Sequence, residues 1–281
     1  MFNKENITAV KRLAANIRKD VVNMIGCKGQ MGHLGGSCSS ADIVAAIYGY
    51  KMKFDPKNPQ WEGRDKFIYS KGHAAIAQYA AMAEVGYFPV EELQTCKALG
   101  SRLQGHPDRC KTPGIEAGTG SLGQGLSIAN GMALAMRLDK KENKVFCIMG
   151  DGEMGEGQIW EAAMAASVYK LDNLLAIVDV NRLQATGAVS ERFNTNPLPE
   201  KWETFGWNVI EVDGHDVEAV LGALDEADKV KGKPTVVIAH TIKGKGVSFA
   251  ENNVGFHNGA LTEEQYKIAL RELDEQLAQL N

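Results

Sequence analysis

Asp151 and Asn181 are the residues of this chain whose types and spacing most directly predict chemistry. Asp151, flanked by glycine on both sides, follows an apolar run over 144–149, and Asn181 follows a second apolar run over 174–178. Both runs are typical of buried strands. Because the carboxyl ends of parallel strands meet at one sheet edge, the two side chains are expected to lie close together. Their oxygens suit Mg²⁺ or Ca²⁺, and Gly152 would let a phosphate approach the next helix N-terminus.

The tripeptide around Asp151 has a structural interpretation as well. A strand that ends in Gly-Asp-Gly is often a turn with an aspartate cap. The matching Asn181 at the end of the next predicted strand favours the functional interpretation. The sequence therefore predicts a metal and diphosphate site at this sheet edge.

Four of the six histidines lie in glycine-containing segments, and they are the candidate catalytic residues: His33, His73, His106 and His257. Histidine is the commonest side chain for proton transfer near neutral pH. Any single one could instead be a surface or capping residue. A zinc site is disfavoured, because the spacings match no zinc motif and no cysteine accompanies them. His215 and His240 are weaker candidates, and His240 ends a predicted strand.

Two further loops carry groups suited to a phosphate or a flat ligand. Lys243 and Lys245 could balance phosphate charge, although an ordinary solvated turn explains them equally well. The segment over 118–125 contains a GxGxxG pattern, but no strand precedes it, so a dinucleotide fingerprint is disfavoured. A helix N-terminus that a flat ligand approaches closely is the better interpretation.

The elements that must position these residues alternate along the chain. Apolar runs predict strands over 67–70, 144–149, 174–178, 207–212 and 235–239. Helical periodicity predicts helices over 7–24, 42–50, 74–85 and 155–169. A further helix is expected to follow the glycine-rich segment over 118–125 and to run to about residue 138. A glycine- and serine-rich loop is expected over 32–40. A capping box begins the last helix at Thr262. This alternation predicts an α/β fold with a parallel sheet covered by helices on both faces, as a single domain over 1–281.

Composition excludes several classes of protein. The 281 residues carry a net charge of −4, so nucleic acid is not an expected partner. The five cysteines form no CxxC pair, which is typical of a reducing cytoplasm. No apolar run approaches the length of a membrane span or a signal peptide. We therefore expect a cytoplasmic protein with a sizeable core and no membrane partner.

Taken together and in order, the motifs resemble the transketolase family. They lie over 32–37, 70–73, 104–107, 120–125 and 150–153, with Asn181, and the resemblance runs from about residue 7 to about 265. The match is to the N-terminal, thiamine-diphosphate-binding domain, as found in the two-subunit form of the enzyme. The resemblance implies the diphosphate-domain fold, with thiamine diphosphate and Mg²⁺ (or Ca²⁺) as cofactors.

The resemblance also implies roles for individual residues. Asp151, Asn181 and the Leu183 carbonyl would bind the metal. Groups on the cofactor side would be His73, Gly120, Ser121, Leu122, Gly152, Glu153, Glu156, Asn181, Lys243 and His257. Glu156 would belong to a network joining paired cofactor sites across a subunit interface, and 184–196 would close over the cofactor. His33, His106 and His257 would face the sugar. Leu34 and Asn258 depart from the family pattern.

The implied activity is transfer of a two-carbon ketol unit from a ketose phosphate to an aldose phosphate, as in the pentose phosphate pathway. In the family, the activating glutamate lies in a pyrimidine-binding domain, and this chain ends before one. We therefore expect the partner to be a separate C-terminal subunit, in an α₂β₂ heterotetramer with a homodimer contact. Alternatives are a subunit resembling 1-deoxyxylulose-5-phosphate synthase or a dehydrogenase E1, and a non-catalytic cofactor-binding subunit.

Overall fold

A five-stranded parallel sheet forms the centre of the fold. The computed structural model describes residues 2–27 and 29–280. Its strands are β1 (Lys66–Tyr69), β2 (Val145–Gly150), β3 (Leu174–Val180), β4 (Leu183–Gln184), β5 (Gly187–Ala188), β6 (Asn208–Asp213) and β7 (Thr235–His240). The main sheet has the order β1-β2-β3-β7-β6, and β4 with β5 forms a small antiparallel hairpin. The predicted α/β class is confirmed.

Helices pack on both faces of the sheet. They are α1 (Lys4–Ile25), α2 (Leu34–Ser39), α3 (Ala41–Ala46), α4 (Ala75–Glu84), α5 (Gln124–Leu138), α6 (Gly157–Val168), α7 (Val189–Arg192), α8 (Leu198–Thr204), α9 (Val217–Lys229) and α10 (Glu263–Ala278). One core joins the sheet to α1–α4, α9 and α10, and the other joins it to α5, α6 and α8. Alternate residues of β3 enter the two cores, so every residue of that strand is buried.

The segment over 32–40, expected to be a glycine- and serine-rich loop, is largely helical, and that prediction was wrong. Helix α2 begins at Leu34, directly after His33, and all of its residues are buried. The Ser37 hydroxyl donates to the His33 carbonyl at 2.7 Å and stabilises this turn. Burial against the sheet therefore overrides the low helix propensity of adjacent glycines. The helix expected over 42–50 is α3 followed by a π-helical turn, Ile47–Lys51.

Two other sequence features have clear structural outcomes. The capping box is present, because Thr262 and Gln265 each accept the other's backbone N–H. The segment expected to close over the cofactor, 184–196, contains the end of the β4–β5 hairpin and α7. Among the described helices, none combines the length and the apolar character that a membrane crossing requires.

Candidate active site

A cavity of about 290 Å³ lies at the carboxyl edge of the sheet. Segments that follow β1, β2, β3 and β7 supply most of its wall, together with α2 and the loop before α5. Its lining residues are His33, Gly36, Lys71, His73, Gly120, Leu122, Gly150, Asp151, Gly152, Glu153, Asn181, Leu183, Gln184, Ala185, Lys243 and His257. The parallel topology thus brings most of the predicted site residues to one place, as expected for ligands of open α/β sheets.

The three predicted metal ligands lie together in this wall. Asp151 is buried, and its carboxylate accepts the backbone N–H of Gly152 at 2.8 Å and of Arg182 at 2.6 Å. Asn181 Oδ1 accepts the Leu183 N–H at 3.2 Å. Arg182 has a left-handed backbone with φ of 67°, which turns the chain between Asn181 and Leu183. The described residues contain no cluster of three His, Cys, Asp or Glu side chains suited to a metal, so a metal would depend on one carboxylate, one amide and one carbonyl.

A buried polar network fixes the orientation of the Asn181 amide. Asn181 Nδ2 donates to Asp179 Oδ2 at 3.2 Å and lies 3.3 Å from Ser39 Oγ. Since both donors of the amide point into this network, Oδ1 is left on the other side as an acceptor. The arrangement presents an oxygen, not a nitrogen, for a hard cation.

Lys243 extends a cationic group to the same wall. Its ammonium is buried, donates to the Leu183 carbonyl at 2.9 Å and lies 3.0 Å from His257 Nδ1. A Cβ at Gly35 would lie 2.8 Å from Lys243 Cγ, so glycine there gives the lysine stem its space. The Leu183 carbonyl therefore already faces a positive group.

Three of the four candidate histidines form a compact group. Ring centroids are 4.9 Å apart for His33 and His73, 5.5 Å for His33 and His257, and 5.3 Å for His73 and His257. The fourth, His106, is exposed and does not line the cavity. It packs instead against Gly120, where a Cβ would lie 2.4 Å from its ring.

Burial and neighbouring positive charge keep these histidines neutral. Burial, with Lys97 nearby, lowers the pKa of His33 to about 4. Burial and Lys243 lower the pKa of His257 to about 4, while burial and Lys71 lower that of His73 to about 2. Neutral imidazoles can accept protons or hold hydroxyl groups at physiological pH.

The pKa values of two charged groups of the cavity, Lys243 and Asp151, are also shifted against their charged forms. Burial, with Lys71 nearby, lowers the pKa of Lys243 to about 8. Burial, with Asp179 nearby, raises the pKa of Asp151 to about 6. Each shift reports a charge that lacks a sufficient partner in the folded chain. An anion near Lys243 and a cation near Asp151 would reverse both shifts.

Sequence reasoning missed the ion pair beneath the cavity, between Lys71 and Asp179. Both side chains are buried, and the Asp179 carboxylate also accepts the hydroxyls of Ser39, at 2.6 Å, and of Thr241. Burial alone would raise the pKa of Asp179, but Lys71 lowers it, so the pair stays ionised. The available signal was an aspartate inside an apolar strand, because a charge buried there requires a partner.

The other predicted cofactor residues divide into two groups. Gly120, Leu122, Gly152 and Glu153 line the cavity, whereas Ser121 and Glu156 are exposed outside it. The Glu153 carboxylate is engaged within the chain, accepting the Ser70 hydroxyl and the backbone N–H groups of Gly123 at 2.8 Å and Gly150 at 3.2 Å. It ties together the segments after β1, before α5 and after β2.

The residues present fit a metal-bound diphosphate. Asp151, Asn181 and Leu183, whose oxygens are of the kinds that a hard cation takes, line the same cavity as Lys243, and the Asn181 amide is already oriented with its oxygen available. A buried diphosphate requires both a counter-ion and hydrogen-bond donors. Lys243 can supply positive charge, and His73 and His257 can supply ring N–H groups.

Comparison with known proteins agrees with this geometry. A family model described as "Transketolase, thiamine diphosphate binding domain" matches residues 9–276. A 6-deoxy-6-sulfo-D-fructose transketolase subunit from Clostridium sp. (strain MSTE9) is 47% identical over 92% of this chain and 94% of its own length. A subunit of the apulose-4-phosphate transketolase from Phocaeicola vulgatus is 42% identical over 94% of this chain and 93% of its own length.

Solved structures show the same similarity. A transketolase from Pichia stipitis superposes with a TM-score of 0.87 at 30% identity, over 97% of this chain and 44% of that chain. The transketolase from Campylobacter jejuni gives a TM-score of 0.86 at 31% identity, over 100% of this chain and 46% of that chain. This chain thus spans less than half the length of these solved transketolases. The motif order, the cavity and both comparisons show that this chain belongs to the transketolase family and corresponds to its thiamine-diphosphate-binding domain.

Proposed function

We propose that this chain is the N-terminal subunit of a split transketolase, which transfers a two-carbon ketol unit from a ketose to an aldose. The observation that carries the proposal is the convergence of Asp151, Asn181 and Leu183 with Lys243 and the histidine group on one cavity. The relatives named as subunits cover nearly the same length as this chain. They support a separate partner chain.

In this proposal, Asp151, Asn181 and the Leu183 carbonyl hold Mg²⁺, and Lys243, His73, His257 and the Gly152 N–H face the diphosphate. Further contacts to the cofactor would come from Gly120, Leu122 and Glu153, which line the cavity, whereas Ser121 is exposed outside it. Bound thiamine diphosphate supplies a site that can stabilise negative charge on the transferred carbon. This chain's own part is to bind and orient the cofactor through that metal–diphosphate contact.

The histidines would handle the sugar. His33 and His257 are neutral at physiological pH because burial lowers the pKa of each, so a ring nitrogen of each can accept a hydrogen bond from a sugar hydroxyl. His106 lies outside the cavity wall and would meet the substrate at its entrance. The partner chain would supply the glutamate that activates the cofactor.

Exposed apolar side chains support contacts with other chains. Val168 and Tyr169 are 75% and 52% exposed at the end of α6, and Met164 is 48% exposed on the same helix. Leu138, at the end of α5, is 75% exposed. Such a group is typical of an interaction surface, and Glu156 is exposed at the N-terminus of α6. We place a contact between two copies here, within an α₂β₂ assembly.

The names of the relatives indicate two substrate classes to compare. One is named for 6-deoxy-6-sulfo-D-fructose, which carries a sulfonate, and the other for apulose-4-phosphate, which carries a phosphate. We propose that the donor is a ketose with an anionic group at the end remote from the transferred carbons. The phosphate of an ordinary sugar phosphate and a sulfonate both meet this description.

The test combines the purified chain with a pyrimidine-binding transketolase subunit, thiamine diphosphate and Mg²⁺. We expect two-carbon transfer from a phosphorylated or sulfonated ketose only when both chains are present. The Asp151→Asn variant should abolish transfer. Full activity of this chain alone would contradict the split-enzyme proposal, and no transfer from either donor class would contradict the proposed reaction.

A further inference from the structure

A chain of polar contacts outside the cavity ends on the segment that carries Lys243. It consists of Arg18 on α1, Asp42 on α3 and His215 in the loop after β6. The Arg18 guanidinium contacts both oxygens of the Asp42 carboxylate, and Asp42 Oδ2 lies 2.7 Å from His215 Nδ1. On its other side, His215 Nε2 accepts the backbone N–H of Ile242 at 2.8 Å. We call this the Arg18–Asp42–His215 chain.

The contacts of His215 determine its tautomer. A backbone N–H can only donate, so Nε2 must carry a lone pair. The hydrogen then resides on Nδ1 and is donated to Asp42. Burial alone would raise the pKa of Asp42, but Arg18 and His215 lower it, so the carboxylate stays ionised. A carboxylate that holds one nitrogen of an imidazole fixes both the ring orientation and the use of the other nitrogen.

The segment held by His215 carries two side chains of the site. Thr241, one residue before Ile242, donates its hydroxyl to Asp179 beneath the cavity. Lys243, one residue after, reaches the Leu183 carbonyl and His257. Backbone contacts hold the neighbouring residues: Thr241 N–H donates to the Val180 carbonyl at 3.1 Å, and Gly244 N–H donates to the Gly35 carbonyl at 3.0 Å. His215 supplies the contact at Ile242, between these two.

We infer that His215 is a positioning residue for the diphosphate site, which holds the Ile242 backbone so that Lys243 faces the cavity and Thr241 keeps its bond to Asp179 beneath it. The inference rests on the proposed function of Lys243. Loss of the acceptor at Nε2 would leave the Ile242 N–H without its partner and would release the segment between its two backbone contacts. The expected effect on cofactor binding is about 10-fold, as for other residues that orient a binding group.

Two substitutions separate the contacts of the imidazole. In His215→Gln, the amide oxygen can take the place of Nε2 and still accept the Ile242 N–H. In His215→Asn, the shorter amide can take the place of Nδ1 and donate to Asp42, but it cannot reach Ile242. The matched control is His240→Asn, because His240 lies two residues before Ile242, is 43% exposed at its side chain, and directs its Nε2 at Glu211, 3.0 Å away and outside the cavity.

Amide hydrogen exchange of the full chain tests the inference without any cofactor. We expect the Ile242 amide to exchange at least about 10-fold faster in His215→Asn, and to stay protected in His215→Gln and His240→Asn. Equal protection of Ile242 in wild type and His215→Asn would overturn the inference. So would equal loss of protection throughout the protein in both His215 variants, because the effect would then be general destabilisation.

Titration with thiamine diphosphate and Mg²⁺ is the second readout. We expect His215→Asn to weaken binding about 10-fold, His215→Gln to stay within about 3-fold and His240→Asn to match wild type. Equal affinities for all four proteins would overturn the inference. If the wild-type chain binds no cofactor either alone or with a pyrimidine-binding partner chain, the proposed function fails, and the exchange experiment still decides the role of His215.

Discussion

The two ends of the parallel sheet use similar charged residues in opposite ways. At the amino end, Lys51 contacts Asp225 at 2.5 Å and Asp228 at 2.8 Å, and Lys144 also contacts Asp228. At the carboxyl end, the Lys243 ammonium contacts a carbonyl and an imidazole, and the Asp151 carboxylate accepts backbone N–H groups. The amino end pairs these charges, whereas the carboxyl end pairs Lys71 with Asp179 but leaves Lys243 and Asp151 without an ion pair among the described residues.

The pKa values follow this difference. Burial alone would lower the pKa of Lys51, but its bonds to Asp225 and Asp228 raise it. At the carboxyl end, burial and neighbouring charge instead lower the pKa of Lys243 to about 8 and raise that of Asp151 to about 6. The ion pairs at the amino end stabilise the folded chain, whereas the cavity maintains charges that a ligand must balance. The difference separates residues kept for stability from residues kept for binding.

The largest expected effect distinguishes the aspartates of the two ends. Asp151→Asn should weaken metal-dependent binding of thiamine diphosphate by about 100-fold or more, because it removes the only carboxylate among the proposed ligands. Its ligand-free stability at pH 8 should not fall, since a poorly compensated buried charge is lost. Titration calorimetry and thermal unfolding measure the two quantities.

The control for this substitution is Asp228→Asn at the amino end. It should lower the unfolding temperature and leave cofactor affinity unchanged, because Asp228 pairs with Lys51 and Lys144 far from the cavity wall. If Asp151→Asn destabilised the ligand-free chain as much as Asp228→Asn does, the distinction between the two ends would be wrong.

The pH dependence of stability should differ between the two ends. The pKa of His33 is lowered from 6.5 to about 4 in the folded chain, so the unfolded chain takes up the proton first. The contribution of His33 to the free energy of unfolding is therefore present above pH 6.5 and is lost as the pH falls towards 4. The loss is about 2 kcal/mol after allowance for partial exposure. The pKa of Asp228 is lowered from its ordinary value of 3.8. Its contribution to the free energy of unfolding is therefore lost only as the pH falls below that value, in a separate and more acidic range.

Chemical unfolding between pH 7 and pH 4 measures this effect. His33→Asn should flatten the curve between pH 6.5 and 4, whereas Asp228→Asn should leave that interval unchanged. An identical slope in wild type and His33→Asn would show that His33 does not carry the expected burial cost.

The smallest expected effect compares two lysines. Lys243→Met should weaken thiamine diphosphate binding about 10-fold, because the diphosphate loses one charged donor, while ligand-free stability is retained. Lys51→Met should cost about 1 kcal/mol of unfolding free energy and leave binding intact. Binding isotherms and denaturant midpoints on both variants test the pair, and a reversed pattern would contradict the assignment of the two ends.

The sequence predicted what depends on local pattern. Apolar runs located all five strands of the main sheet, and their parallel order placed Asp151 and Asn181 at one edge. It failed where tertiary packing decides the outcome. Helix α2 forms over adjacent glycines because the sheet buries it.

Residues far apart in the chain also escaped prediction from pattern. The Lys71–Asp179 pair joins positions 108 residues apart, and the contact from His215 to Ile242 depends on how the loops after β6 and β7 meet. No spacing rule connects such residues before the topology is known. The residue pattern supplied Asp151 and Asn181 and the family resemblance added the Leu183 carbonyl, but the structure was needed to find what orients them.

Cofactor-induced stabilisation tests the central claim most directly. Thermal unfolding of the full chain, alone and with a pyrimidine-binding partner chain, is compared in thiamine diphosphate with Mg²⁺ and in thiamine with Mg²⁺. We expect that only the diphosphate form raises the unfolding temperature of this chain, and that Asp151→Asn removes the increase. An equal increase with thiamine, or no increase with the diphosphate form under either condition, would contradict the assignment of this cavity to a metal-bound diphosphate.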